Sequence, residues 1–124
     1  MPEPVCIENV VPILRVESLA ASVAYYTEVL GFSVDWRMDA MASVSRDRHG
    51  LMLCEGAQGN PGTWVWGGVT DAAALCDEIA PRGARIVRPL SNFPWAYEMQ
   101  VADPDGHILR FGSEPRGDLP YDTW

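Results

Sequence analysis

The stretch VESLAASVAYYTEVLG, at residues 16–31, decides the fold because it is a helix signal set between strand signals. Its apolar residues recur at helical spacing and give the helix one buried face: Leu19, Val23, Tyr26 and Leu30. Ser18 is a residue type that caps a first helical turn, and Gly31 is typical of a helix C-terminus. We therefore predict a helix over residues 19–30.

The same order of elements recurs in the second half of the chain. A second helix is predicted over residues 72–79, with Asp71 as its cap and with Pro81 and Gly83 ending it. Short apolar or alternating segments predict strands over residues 10–16, 32–38, 41–46 and 51–55 around the first helix, and over 64–69, 84–90, 97–101 and 108–112 around the second. The chain is thus predicted to be an α+β protein of two paired βαβββ modules.

Pairing of the two modules follows from the need to bury apolar surface. The helix of one module covers only one face of its sheet, so two modules must pair to bury the other face. We place both modules in one domain over residues 1–113, at about 9–56 and 63–113. The Pro/Gly-rich segment that follows, residues 114–124, is expected to be a loosely ordered tail.

The composition indicates one small soluble domain. The 124 residues are 48% hydrophobic and 21% charged, within the usual range for globular proteins. The formal net charge of −8 disfavours a nucleic-acid surface, which needs clustered Lys and Arg. No apolar run has the length of a membrane span, no signal peptide is evident, and the three dispersed cysteines suit reduced thiols. We expect a cytoplasmic protein without nucleic-acid or membrane partners.

Three motifs, taken with this order of elements, give the chain a family resemblance over residues 10–112. The motifs are Leu14-Arg-Val16, Tyr25-Tyr26 ahead of Leu30-Gly-Phe32, and Asp103-Pro-Asp-Gly106 ahead of the last strand. In these features the chain resembles the vicinal oxygen chelate superfamily of glyoxalases, bleomycin resistance proteins and extradiol dioxygenases. It is most similar to the bleomycin resistance proteins, at Val11-Pro-Ile-Leu14, at Leu30-Gly-Phe-Ser33 with Asp35, at Trp64-Val-Trp66, and at Pro94-Trp95 with Glu98.

The resemblance also provides a test for a metal site, because the superfamily's enzymes hold a divalent metal with His, Glu or Gln on four cleft strands. The corresponding positions here are Val11, Cys54, Trp64 and Arg110. Val11 offers no donor atom, Trp64 offers only an indole N–H, and the guanidinium of Arg110 would repel a cation. Cys54 can ligate zinc, but one ligand does not make a site. A register shifted by one would put Leu53 or Glu55 there, and even with Glu55 the number of ligands stays far below three.

The two histidines do not change this prediction. His49 lies in a charged turn, and His107 falls on the strand face opposite Arg110. We therefore expect no metal, no other cofactor and no catalytic residue.

Trp64 and Trp66 lie two residues apart on a predicted strand, so their rings point to the same face. Two such rings can stack on a planar ligand, and Gly67 and Gly68 leave room beside them. The alternative is that the rings pack in the core. The resemblance to bleomycin resistance proteins favours a cleft wall.

The resemblance implies a homodimer in which modules of different subunits pair and each cleft binds a small aromatic molecule. The predicted ligand-binding residues are Asp35, Trp36, Met41, Trp64, Trp66, Trp95, Glu98 and Arg110. Trp36 could instead pack against the neighbouring module. The carboxylates of Asp35, Asp39 and Glu98 either bind a cationic tail or are solvated, and Arg110 adds a positive charge unless an acid pairs with it.

The leading hypothesis is a metal-free protein that sequesters an aromatic antibiotic of the bleomycin type, or a related compound, and so confers resistance. One alternative is a metal-dependent lyase, isomerase or dioxygenase of the same superfamily with an atypical site. Another is a superfamily member whose cleft binds nothing and serves only dimer assembly.

Overall fold

The structure is a computed structural model that describes residues 4–123, and it consists of two modules with the same order of elements. The first comprises β1 (Ile13–Val16), α1 (Leu19–Ala24), β2 (Ser33–Arg37), β3 (Met41–Arg46) and β4 (His49–Glu55). The second comprises β5 (Trp64–Gly68), α2 (Ala72–Ile79), β6 (Arg85–Asn92), β7 (Tyr97–Ala102) and β8 (Ile108–Ser113). This confirms the predicted α+β class with two βαβββ modules. Neither helix of residues 4–123 is long and apolar enough to cross a membrane.

Each module forms one four-stranded sheet, and the two sheets have the same topology. Their strand orders are β1-β4-β3-β2 and β5-β8-β7-β6. The first strand of each module runs parallel to the last, whereas the other neighbours are antiparallel. β1 and β5 therefore lie at sheet edges. β1 begins at Ile13 rather than at residue 10, because its pairing with β4 begins there.

The predicted helix over residues 19–30 is correct in position but changes type within its length. Ser18 caps α1 by accepting a hydrogen bond from the backbone N–H of Ala21 at 3.2 Å. After Ala24 the helix widens to a π-helical turn over Tyr25–Val29, and Gly31 follows with φ of +76°. Side-chain spacing does not detect the wider turn, because the buried positions fit a 3.6-residue period equally well.

The two modules share one hydrophobic core. Along β1, β3 and β4 every second side chain points towards α1 and is buried: Leu14, Val16, Ala42, Val44, Leu51 and Leu53. The same cluster includes Met99, Val101 and Leu109 from the second sheet and Ile79 from α2. We call this the inner face of each sheet, and the opposite one the outer face.

The turn Asp103-Pro-Asp-Gly106 fastens the second module to α1. Asp103 is fully buried, and its carboxylate accepts hydrogen bonds from the Tyr26 hydroxyl at 2.9 Å and from the backbone N–H of His107 at 3.0 Å. Tyr25 donates its hydroxyl hydrogen to the carbonyl of Ala102 at 2.8 Å. The consecutive tyrosines thus bind the end of β7 and the turn that follows it.

His107 makes a second link between the modules. Its Nδ1 accepts a hydrogen bond from the backbone N–H of Thr63 at 3.0 Å, so the proton lies on Nε2. Nε2 then donates to the carbonyl of Arg15 at 2.5 Å. His107 is completely buried, and these bonds give it a structural role.

The expectation of a loosely ordered tail is wrong for the described part of residues 114–124. Asn92, buried at the end of β6, donates from its side-chain amide to the carbonyls of Arg116 at 2.8 Å and Leu119 at 3.2 Å. Its Oδ1 accepts from the backbone N–H of Arg116 at 2.7 Å. Its backbone N–H donates to the Asp122 carboxylate at 2.9 Å, and its carbonyl accepts from the Asp122 N–H at 2.6 Å. Composition predicted disorder because it does not show a buried partner for these groups.

Candidate functional site

The outer face of the second sheet carries the two tryptophans of β5. Trp64 and Trp66 alternate with Val65, which packs against the core, so both rings lie on the outer face. Trp64 is 57% exposed and Trp66 is 50% exposed. The alternative of ordinary core packing for this pair is therefore wrong.

Glu98 and Arg110 form a hydrogen-bonded ion pair next to these rings. Nε and Nη2 of Arg110 donate to the two carboxylate oxygens of Glu98 at 2.9 and 2.8 Å. The guanidinium carbon of Arg110 also lies 5.2 Å from the centre of the Trp66 ring, within cation–π range. The side chain of Glu98 is only 1% exposed, so its charge lies within the protein and faces Arg110.

The protonation of Glu98 follows from two opposing effects. Burial alone would raise the pKa of this carboxyl, because the charged form loses its hydration. Hydrogen bonds from Arg110 and Trp95, together with the positive charges of Arg110 and Arg88, outweigh burial and hold the pKa of Glu98 below its usual value. Glu98 is therefore charged at neutral pH and neutralises part of the positive charge of this surface.

Trp95 is held by the same carboxylate. Its indole N–H donates to Glu98 at 2.6 Å, and its ring stacks on Phe93 with a centroid distance of 4.8 Å and an interplanar angle of 1°. The loop between β6 and β7 is closed by a bond from the N–H of Phe93 to the carbonyl of Ala96 at 2.9 Å. Arg88 lies over the Phe93 ring at 5.1 Å. Trp95 is thus fixed in orientation while 49% of it stays exposed.

Gly112 makes room for the Trp66 ring on the sheet. A Cβ atom at this position would collide with the ring edge of Trp66 and lie 3.1 Å from the Cβ of Ala96. Glycine therefore leaves room for the indole to approach β8 this closely. We call this surface the aromatic wall. Its members are Trp64, Trp66, Trp95, Arg88 and Arg110, with Glu98 and Phe93 buried behind them.

The remaining predicted site residues lie on the outer face of the first sheet. Asp35 accepts hydrogen bonds from the hydroxyls of Ser43 at 3.1 Å and Ser45 at 2.6 Å. Trp36 is opposite Ser43 in the β2–β3 register, and Met41 is opposite Cys54 in the β3–β4 register. The structure therefore brings the predicted residues together as two groups, one on each module.

The structure also settles the register at the candidate metal positions. Leu53 is buried on the inner face, so Cys54 lies on the outer face, opposite Arg15 and Met41. The carboxylate of Glu55 accepts from the backbone N–H of Leu19 at 2.7 Å and so supports the start of α1. Within residues 4–123, no group of three or more His, Cys, Asp and Glu is arranged to hold a metal ion.

Glu98 is the acid that pairs with Arg110, an outcome that the sequence analysis left open. Its two carboxylate oxygens accept hydrogen bonds from Arg110 and Trp95. Glu98 thereby orients two members of the aromatic wall. A contact between Glu98 and the ligand stays a prediction.

Sequence reasoning missed Arg88, Phe93 and Asn92. Arg88 and Arg110 share one face because both are opposite Gln100 on β7, and this register depends on irregular pairing between β6 and β7. Phe93 belongs to the same loop as Trp95, so a search for aromatic residues near Trp95 could have found it. Nothing in the sequence marks Asn92, whose partners are backbone groups and the Asp122 carboxylate, far along the chain.

A cavity of about 770 Å³ lies between the modules on the inner side of the sheets. Phe32, Leu75 and Ile79 are among its apolar lining residues, and the ion pair of Arg46 and Glu78, with N–O distances of 2.7 and 2.8 Å, lies at its border. The charges of this pair satisfy each other. Three exposed tryptophans, Trp64, Trp66 and Trp95, lie instead on the aromatic wall.

A comparison with models of known protein families identifies the family of this chain. The model of the glyoxalase/bleomycin resistance protein/dioxygenase superfamily matches residues 7–111. The chain belongs to this superfamily. A search of curated proteins finds no match to the sequence.

Solved structures with this fold match nearly the whole chain. The bleomycin-binding protein of Streptomyces verticillus, crystallised with copper(II)-bleomycin, is 25% identical, with a TM-score of 0.76 and coverage of 91% of this chain and 100% of that one. TioX from Micromonospora sp. ML1 is 21% identical, with a TM-score of 0.74 and coverage of 90% and 100%. A superfamily protein from Nocardioides is 18% identical, with a TM-score of 0.71 and coverage of 98% and 93%. The latter two similarities concern the fold alone.

Proposed function

We propose that the protein binds and sequesters a planar aromatic antibiotic of the bleomycin type, or a related compound, as a homodimer and without chemical transformation. The observation that carries the proposal is the aromatic wall. By resemblance, two of its members, Trp64 and Arg110, occupy positions that hold metal ligands in enzymes of the superfamily. An indole and a guanidinium there replace a metal site with a surface for stacking.

The physical chemistry of the wall suits a flat ligand. Each aromatic stacking contact contributes about 0.5–1.5 kcal/mol beyond the burial of apolar area. Trp66 and Trp95 are held in place by Arg110 and Glu98, so little side-chain freedom is lost when a ring stacks on them. The charge of Glu98 offsets that of Arg110 and so weakens the repulsion between the wall and a positively charged drug.

Two further observations support the proposal. The carboxylate of Asp35 lies on the exposed outer face of the first module and is a candidate partner for a cationic group of the ligand. The similarity to the Streptomyces verticillus protein extends over all of that chain, and that protein was crystallised with copper(II)-bleomycin. The resistance that sequestration would confer is part of the same proposal.

Calorimetric titration with metal-free bleomycin and with copper(II)-bleomycin tests the proposal. We expect saturable binding that Trp64→Ala or Trp66→Ala weakens about tenfold or more. Each change removes a ring whose stacking on the ligand contributes roughly one to two kcal/mol to the binding free energy. Val34→Ala is the matched control, because Val34 is a partly exposed apolar residue opposite Val44 on the inner face of its sheet. Absence of binding heat from both drug forms, or equal affinities of all variants, would contradict the proposal.

The enzyme alternative predicts a different result. A metal-dependent lyase, isomerase or dioxygenase purified without chelators should contain nearly one equivalent of zinc, iron or manganese per chain. Our proposal predicts far less metal than this, and drug affinity that does not change after dialysis against EDTA. Elemental analysis by mass spectrometry measures the metal content of the protein before and after this dialysis.

A further inference from the structure

The C-terminal segment, residues 114–123, contacts the loop that carries Trp95. We infer that this segment is a buttress that positions the Trp95 part of the aromatic wall, with Asn92 as the positioning residue. The inference deepens the proposed function and rests on it for the effect on ligand binding. The effect of the segment on the position of Trp95 can be tested without any ligand.

Asn92 forms hydrogen bonds to the C-terminal segment with both its side chain and its backbone. The side-chain amide and carbonyl of Asn92 both bond to backbone groups of residues 116–119, at 2.7 to 3.2 Å. Its backbone N–H and carbonyl both bond to Asp122, at 2.9 and 2.6 Å. Asn92 is 2% exposed, so water cannot replace these partners without local opening.

Asn92 is joined to the aromatic wall through the next residue in the chain. The next residue, Phe93, is completely buried, and its ring is the surface on which Trp95 stacks in parallel at 4.8 Å. A displacement of Asn92 therefore moves Phe93 and with it the support of Trp95. The bond from the indole of Trp95 to Glu98 depends on the same loop position.

A separate contact joins the segment to the wall through Arg88. The guanidinium of Arg88 donates to the carbonyl of Thr123 at 2.9 Å while it lies over the ring of Phe93. The segment thus contacts the wall at two places, through Asn92 and through Arg88. Both contacts converge on Phe93.

The segment is not required by the core of the fold. The cluster of buried apolar residues, with the partly buried residues packed on it, extends from Leu14 to Phe111 among the described residues. Loss of the contacts made by residues 114–123 should therefore leave the two modules folded. This separation lets full-length variants report on the loop alone.

The test uses full-length variants that differ in one contact. Asp122→Ala removes the acceptor for the backbone N–H of Asn92, whereas Asp122→Asn keeps a side-chain oxygen able to accept it. Asn92→Ala removes the bonds to Arg116 and Leu119. Asp118→Ala is the matched control, because Asp118 lies in the same segment and forms an exposed ion pair with Arg116 at 2.9 Å.

The readout independent of ligand is the NMR spectrum of 15N-labelled indole groups, one signal for each of the five tryptophans. Trp95→Phe identifies the Trp95 signal. We expect this signal to shift or broaden in Asp122→Ala and Asn92→Ala, and to keep its wild-type position in Asp122→Asn and Asp118→Ala. An unchanged Trp95 signal in both Asp122→Ala and Asn92→Ala overturns the inference, whether or not any drug binds.

The second readout is the dissociation constant for copper(II)-bleomycin. Asp122→Ala and Asn92→Ala should weaken binding about tenfold, and Asp122→Asn should restore it to within about twofold of wild type. If the Trp95 signal shifts but the dissociation constant stays the same, the inference that this segment positions the binding site is refuted. If wild type does not bind the drug, the proposed function fails for bleomycin, and the NMR result still decides whether residues 114–123 position Trp95.

Discussion

At the scale of single residues, Glu98 decides the character of the aromatic wall. One buried carboxylate accepts hydrogen bonds from Trp95 and Arg110, and Arg110 in turn lies over Trp66. A charge-assisted hydrogen bond to each group is stronger than a neutral one, so the ring orientations are well defined. Glu98 therefore sets the geometry of a surface that it does not itself expose.

We predict that Glu98→Gln lowers the free energy of unfolding by about 1–3 kcal/mol at pH 7, because Arg110 loses its charged partner. The pKa of Glu98 is lower in the folded protein than the usual value of about 4.3. The stabilisation is therefore present above that value and is lost as the pH falls through the folded pKa. The difference between wild type and variant should shrink below about pH 4.

Urea unfolding at several pH values measures this difference. Glu114→Gln, which changes an exposed carboxyl, is the control and should alter stability by less than about 0.5 kcal/mol at pH 7. A Glu98→Gln difference that stays constant from pH 7 to pH 3 would refute the role assigned to the ion pair.

At the scale of elements, the π-helical turn at the end of α1 and the Asp103-Pro-Asp-Gly106 turn work together. The helix presents the consecutive residues Tyr25 and Tyr26 to the second module, where they bind Ala102 and Asp103. The bond of Tyr26 to Asp103 is buried on both sides. Burial, and then the negative charge of Asp103, raise the pKa of Tyr26 well above its usual value, so the hydroxyl remains a donor.

Tyr26→Phe should therefore destabilise the protein by about 1–3 kcal/mol, because one carboxylate oxygen of Asp103 loses its donor in a buried site. Chemical unfolding followed by tryptophan fluorescence measures the loss. Tyr121→Phe is the matched control, since Tyr121 is 60% exposed, and it should leave stability unchanged within about 0.5 kcal/mol. Equal stability of the two variants would show that the turn does not fasten the modules.

The elements were largely predictable, because hydrophobic periodicity and end signals act locally. Ser18, Gly31 and Asp71 marked helix ends that the structure confirms. The π-helical turn was not predictable, because the buried positions of this helix fit a 3.6-residue period equally well. The contacts of residues 114–123 with Asn92 and the ion pair of Glu98 with Arg110 were not predictable either, because only the fold brings these partners together.

At the scale of the whole molecule, the outer faces of both sheets carry large exposed aromatic residues. The exposed fractions are 37 to 57% for Trp36, Trp64, Trp66 and Trp95. Large exposed apolar surfaces of this kind usually bind a ligand or another protein chain. Both β1 and β5 are edge strands, so each sheet can meet another module beside its first strand. These features support the proposed homodimer, in which the first module of one chain faces the second module of its partner.

Sedimentation equilibrium over a series of loading concentrations should give twice the 13.7 kDa mass of the chain. Titration with bleomycin should then saturate at one drug molecule per chain, because a symmetric dimer contains two equivalent clefts. A monomeric mass at concentrations where the drug binds would exclude the shared cleft, while the aromatic wall of a single chain would remain the binding surface.

The links through His107 and Asp103 also bear on how the chain is made. Their bonds to Arg15 and Tyr26 join residues 92 and 77 positions apart. A chain emerging from the ribosome with its N-terminus first has a complete first module long before these partners exist. Until then, only the first helix covers the inner apolar face of that module, the part that packs on the second module stays exposed, and contacts of such long range form slowly. The newborn half-chain is therefore the state most exposed to aggregation, and this exposure ends only when the last two strands have been synthesised.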